Sequence, residues 1–112
     1  MSTTISKADK IRILNDRLGT TFTGGRIVVT AAVSALEPDL KARVLEAVRA
    51  FDKFDADNDP HHEHDCFLFD FEGERYAVKI DYYDRKMEFG SEDPSNPEVT
   101  TRVMTIMFAS DM

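Results

Sequence analysis

The chain has no tryptophan and a single cysteine, Cys66. One cysteine excludes an internal disulfide framework and a zinc site built from thiolates alone, and it fits a reducing compartment. No apolar run approaches the roughly 18 residues that a membrane span needs. Residues 1–10 are polar, without the apolar core of a signal peptide, so a cytoplasmic location away from membranes is expected. Histidine is missing everywhere except at His61, His62 and His64. Basic residues are scarce in the second half: residues 51–112 hold six Lys/Arg against sixteen Asp/Glu, whereas residues 1–50 hold eight against five. That acidic half repels phosphate backbones, which disfavours direct nucleic-acid binding and favours a protein partner with a basic surface. An acidic face also serves plain solubility.

What is present suits one globular domain over residues 1–112, with 42% hydrophobic and 31% charged residues and a net charge of −7. Residues 1–5 are expected to be disordered. Ser6 and Asp9 resemble a capping box, and Ile11, Leu14 and Leu18 give a helix over 7–18 that Gly19 would end in a left-handed conformation. Residues 20–23, the pair Gly24-Gly25 and residues 26–33 read as a hairpin. Pro38 opens a second helix running to Phe51, with Leu40, Val44, Ala47, Val48 and Phe51 as its apolar stripe.

The clearest local signal is a hairpin of residues 66–71 and 75–83 about a two-residue turn at Glu72-Gly73. Phe69 then faces Tyr76 and Phe67 faces Val78 on an aromatic side, while Asp70 faces Arg75 and Leu68 faces Ala77 on the other. The same register places Cys66 opposite Lys79 and His64 opposite Asp81. Residues 85–96 form a loop rich in charge, Gly and Pro, and residues 99–109 a final β-branched strand with Met104, Ile106 and Phe108 on one face. The expected fold is α+β: two helices on one face of an antiparallel sheet of four to five strands.

The unusual chemistry lies in residues 54–65, where four aspartates, one glutamate and all three histidines gather. Asp55, Asp57 and Asp59 start a calcium-loop spacing that fails at Pro60 and Cys66, where a glycine and a bidentate glutamate belong. His64, Asp65, Asp81, Asp59 and Glu63 include suitable ligands for a divalent transition metal ion, but at no established spacing. The preferred reading of His64 with Asp81 is an ion pair or hydrogen bond that fastens the loop to the hairpin. Cys66 with His64 makes a poor nucleophile pair, because a cysteine inside a strand is usually inert. Ala77 two residues before Lys79 removes an E-x-K nuclease pattern, and Gly24-Gly25 lacks both the P-loop lysine and the dinucleotide-binding spacing.

The chain resembles an alphaproteobacterial family of small domains of unknown function. The resemblance rests on Asn15-Asp16, Gly24-Gly25, Phe51-Asp52-x-Phe54, Asn58-Asp59-Pro60, Glu63-His64-Asp65, the run from Lys79 through Ile80, Asp81, Tyr82 and Tyr83 to Asp84, and that from Arg102 to Met107. Cys66-Phe67-Leu68 departs from it, standing where a Phe-Gly turn is expected. Such proteins are similar to accessory proteins of plasmids, integrative elements and phages, which implies a role in element maintenance or an anti-defence role of the anti-CRISPR or anti-restriction kind.

The functional expectation is a non-enzymatic acidic protein-binding module without a cofactor, meeting its partner through Asp55, Asp57, Asp59, Glu63, Tyr82, Tyr83 and Asp84. The alternative is a small metal-dependent hydrolase using His64, Asp65 and Asp81 with Asp59 or Glu63. A homodimer joined through Tyr82, Tyr83 and the final strand as a sheet edge is a third arrangement.

Overall fold

A computed structural model describes residues 5–55 and 57–112. Apart from Ile5, the expectation of a disordered start lies outside the described residues. The fold is α+β, with helices α1 (Lys7–Thr21), α2 (Ala31–Ser34) and α3 (Pro38–Ala50) and strands β1 (Arg26–Val29), β2 (Cys66–Phe71), β3 (Glu74–Tyr83) and β4 (Thr101–Phe108). A short 3-10 turn, Ala109–Asp111, follows β4. The strands form one sheet in the order β1-β4-β3-β2.

The hairpin of β2 and β3 has the expected register throughout, from Cys66 opposite Lys79 to Phe71 opposite Glu74. Its turn works because Glu72 and Gly73 both take positive φ, 48° and 84°, as a two-residue turn that matches strand twist requires. β3 pairs antiparallel with β4, which makes β4 an interior strand rather than an edge.

The sheet is mixed, not purely antiparallel, because β1 lies parallel to β4 with Arg26 beside Val103 and Val29 beside Ile106. The expected hairpin at Gly24-Gly25 therefore does not form. Helix α1 instead continues through Gly19 to Thr21, and Phe22 ends it at φ 57°. Thr20 and Thr21 are accommodated in the last turn by donating their hydroxyls to the Asp16 and Arg17 carbonyls four residues back. Gly19 lies inside the helix and does not terminate it, and a Cβ there would make only an ordinary 3.5 Å contact with Met104 Cε. Gly25 allows a closer approach, since its Cβ would fall 2.8 Å from the Arg102 carbonyl oxygen. Thr30 ends β1 by capping α2, accepting from Val33 N.

One core joins helices to sheet. Leu18, Val33, Val44 and Val48 cluster with Phe67, Tyr76, Val78, Ile80, Met104 and Ile106. Fully burying an aliphatic side chain of this size contributes about 1.5–3 kcal/mol. Along β3 the cluster takes alternate residues, Tyr76, Val78 and Ile80, so Tyr82 shares their side of the sheet. Along β4 the same parity places Arg102 with Met104 and Ile106. Two polar side chains are thereby carried to the margin of an apolar core.

Candidate functional site

Helix α1 buries Ile11, Asn15 and Leu18, the i, i+4 and i+7 positions of one stripe. Asn15 is 1% exposed and lies against Tyr82 and Arg102. Its Nδ2 donates to Tyr82 Oη at 2.8 Å and to the Glu63 carbonyl at 2.9 Å, and its Oδ1 accepts from Arg102 Nε at 2.9 Å. Tyr82 donates in turn to Glu63 Oε1 at 2.9 Å. Arg102, 2% exposed, also donates to the Pro94 carbonyl and lies over the Tyr82 ring, 5.2 Å from its centroid. Burial lowers the Arg102 guanidinium below its ordinary range, opposed by the nearby Tyr82 and Glu63. Burial also raises the Tyr82 phenol, and the hydrogen bond to Glu63 adds to the rise, while Asn15 opposes it.

Beside this knot residues 57–64 wind around Asp59, which is 3% exposed. Asp59 Oδ1 accepts from the Glu63 and His64 backbone N–H groups at 3.1 and 3.0 Å. His62 and His64 both adopt left-handed backbone, φ 57° and 56°, an uncommon conformation for residues other than glycine. The His64 ring is sandwiched chemically: Nδ1 lies 2.6 Å from Asp16 Oδ1 and Nε2 3.3 Å from Asp59 Oδ2. Its face stacks on Phe54, 3.7 Å between centroids, and Phe54 packs edge-on against Phe51 and Phe67.

The expected pairing of His64 with Asp81 is not made. The hairpin register reaches Asp65, whose carbonyl accepts from Ile80 N at 2.7 Å, but the left-handed turn at His64 then diverts the chain. Asp81 follows the alternate parity of β3 and pairs with Lys79 at 3.2 Å. The candidate ligands His64, Asp65, Asp81, Asp59 and Glu63 are thus divided between two sides of the sheet. Among the described residues, no group of three or more His, Cys, Asp or Glu is placed to hold a metal ion. Cys66 is half-buried, and burial, helped by Asp65 and Asp81, raises its thiol above the ordinary value, which makes it a weak nucleophile.

The partner-facing candidates also separate. Asp55 and Asp57 are exposed, with Asp55 Oδ1 holding the Asp57 and Asn58 N–H groups at 2.9 and 3.0 Å. Asp59 Oδ1 and Glu63 Oε1 accept hydrogen bonds inside the protein, from two backbone N–H groups and from Tyr82. Asp84 uses Oδ1 to accept from Lys86 N and Glu88 N, and Tyr83 forms a bridge with Gly90. Sequence reasoning assigned no role to Asn15, Asp16 and Arg102, although each lies within a motif quoted above. The missed signal was positional: Asn15 interrupts an apolar helical stripe, and Arg102 has the inward parity of its strand.

Residues 29–111 match the model of a family described as protein of unknown function (DUF3768). The chain belongs to the DUF3768 family. The match starts at Val29, so it takes in the 55–64 loop, Tyr82 and Arg102 of this DUF3768 chain but not helix α1. No curated protein and no solved structure matches the chain.

The cavity beside His64, lined by Asn15, Asp16, Phe54, Phe67 and Met104 among others, measures only about 20 Å³. That is room for a single water, far below the roughly 300 Å³ at which small-molecule pockets begin. Every buried side-chain nitrogen and oxygen among the described residues has a hydrogen-bond partner. In this DUF3768 chain the knot does one thing well: it ties α1, the acidic loop, β3, β4 and the Pro94 loop into a single body.

Proposed function

We propose that this chain is a non-enzymatic binding module that presents an acidic, internally braced loop to a protein with a basic surface. The observation that carries the proposal is the closed polar knot. Each of its fully buried side-chain nitrogens and oxygens has a partner within the chain, and the cavity beside it holds no more than a water, so it holds the loop rather than a substrate. The loop then offers Asp52, Asp55 and Asp57 to solvent from a backbone fixed by the Asp55 and Asn58 side chains. Carboxylates held in place lose less side-chain entropy on binding than mobile ones. In its narrower form, the proposal is an inhibitor that occupies the nucleic-acid-binding surface of a defence nuclease or CRISPR effector. The net charge of −7 supports that form, since a basic groove attracts an acidic protein as it attracts phosphates.

Competition with a labelled DNA duplex for purified restriction nucleases and CRISPR effectors tests the reading. The expected result is displacement of DNA that weakens with salt and falls at least about tenfold, or roughly 1.4 kcal/mol, in the Asp52→Lys/Asp57→Lys variant. Displacement equal in the wild type and that variant would show that the acidic loop is not the binding element.

A further inference from the structure

Among the described residues the sheet ends on one side in β2, and no strand pairs with its outer edge. The hairpin register identifies which backbone groups that edge presents. In a two-residue hairpin the residues flanking the turn, Phe71 and Glu74, form a hydrogen-bonded pair, and such pairs recur at every second position. They fall at Phe69–Tyr76 and Phe67–Val78, and the Ile80 N–H donation to the Asp65 carbonyl continues the series. The N–H and C=O groups of Cys66, Leu68 and Asp70 therefore point outward. Among the described residues, no turn, loop or side-chain hydrogen bond reaches them.

This edge lacks the usual protections. Its sequence, CFLFDF, contains one charge and neither lysine nor proline, and Leu68 at its centre is 45% exposed. The opposite edge, β1, is only four residues long and opens with Arg26. An open groove of about 570 Å³ runs beside β2, lined by Ala47 and Ala50 of α3 and by Leu68, Phe69 and Asp70. The two alanines leave room for a neighbouring backbone or helix.

The strand is complementary to itself. An antiparallel pairing with a second copy centred on Leu68 sets Leu68 against Leu68, Cys66 against Asp70 and Phe67 against Phe69. This register pairs outward backbone groups with outward backbone groups and keeps each side chain on its own face. Charges complement as well. Lys79 flanks Cys66 and Arg75 flanks Asp70, so Asp70 of the second copy lies in a row between Arg75 of its own chain and Cys66 and Lys79 of the first. No two like charges oppose each other.

We infer that β2 is the edge through which two copies of this chain join, antiparallel and centred on Leu68, into one continuous eight-stranded sheet. The inference stands on the register of β2 and not on the proposed binding function, although Asp52 and Asn58 of the acidic loop also line the groove beside this strand.

Light scattering on the full chain over a range of concentrations tests it. The expected mass is twice 12.7 kDa, with dimer favoured by added salt because screening reduces repulsion between copies that each carry −7. A monomer mass at every concentration overturns the inference, including the case in which β2 serves a foreign strand. The Leu68→Lys variant should be monomeric with an unchanged circular dichroism spectrum, because its side chain is exposed in the monomer. Persistence of that dimer overturns the inference. The register is read from the Cys66→Ser/Leu68→Cys variant. Opposed Cα atoms in a hydrogen-bonded antiparallel pair lie about 5.5 Å apart, within disulfide reach. Mild oxidation should give a covalent dimer, and a dimer that fails to cross-link overturns the register.

Discussion

Arg102 donates through Nε to Asn15 Oδ1 at 2.9 Å, across 87 residues of chain. The bond joins the first helix to the last strand, and Asn15 spends its other hydrogen-bonding capacity on Tyr82 and the Glu63 carbonyl. One amide thus satisfies a buried cation, a phenol and a loop backbone. Asn15→Ala would leave all three short of a partner in a buried setting. The expected loss is about 2–4 kcal/mol of unfolding free energy, measured by urea denaturation. A loss below about 0.5 kcal/mol, the range of ordinary surface changes, would show that the knot does not hold the fold together.

Asp57 and Asp59 differ as sharply, although they stand two residues apart in a regular D-x-D-x-D run. Asp57 is exposed, whereas Asp59 is buried and accepts two backbone N–H groups while facing His64 Nε2. Asp59→Ala should cost about 1–3 kcal/mol, because two half-buried backbone donors lose their acceptor. Asp57→Ala should stay within roughly 0.5 kcal/mol of wild type. Paired urea melts decide the matter, and equal losses would contradict the burial that separates them.

That contrast marks what was legible in the sequence. The β2–β3 hairpin was readable pair by pair, because its turn chemistry and both side-chain faces agreed locally on one register. The parallel placement of β1 was not. It depends on contact with β4, more than seventy residues on, while the local Gly24-Gly25 pair suggested a turn. Within the site, composition found the loop but not its centre. Asp55, Asp57 and Asp59 are chemically identical, and only the wrapping of the chain decides which becomes buried. The His64–Asp81 pairing failed for a similar reason: a left-handed residue broke a register that otherwise continued to Asp65.

Gly25 gives a sharp test of the β1–β4 packing. An added Cβ would lie 2.8 Å from the Arg102 carbonyl oxygen, 3.0 Å from Leu18 Cδ2 and 3.1 Å from Arg102 Cβ. The nearest of these is backbone and has no rotamer through which to move aside. Gly25→Ala should therefore cost about 1–3 kcal/mol through overpacking. Thermal denaturation followed by circular dichroism checks it, and an unchanged or raised Tm would place β1 further from β4 than described.

Tyr82 ties stability to alkaline pH. Its phenol is neutral when protonated, and burial, reinforced by Glu63, raises its folded pKa above the ordinary value of 10.0. The folded state thus keeps this proton at a pH where the unfolded chain has released it. Stability falls with pH wherever the folded state binds more protons, so the contribution of Tyr82 is complete below about pH 10 and is lost as pH rises through the folded pKa. Tyr82→Phe removes the titration along with the hydrogen bonds to Asn15 and Glu63, at a cost near neutral pH of about 1–3 kcal/mol. The stability gap between wild type and variant should hold steady from pH 7 to 9 and narrow above pH 10, because only the wild type carries the phenol's penalty. Urea melts across this range measure the gap directly. A gap that stays constant to the highest pH at which both proteins fold would mean that the Tyr82 hydroxyl is not buried in the knot.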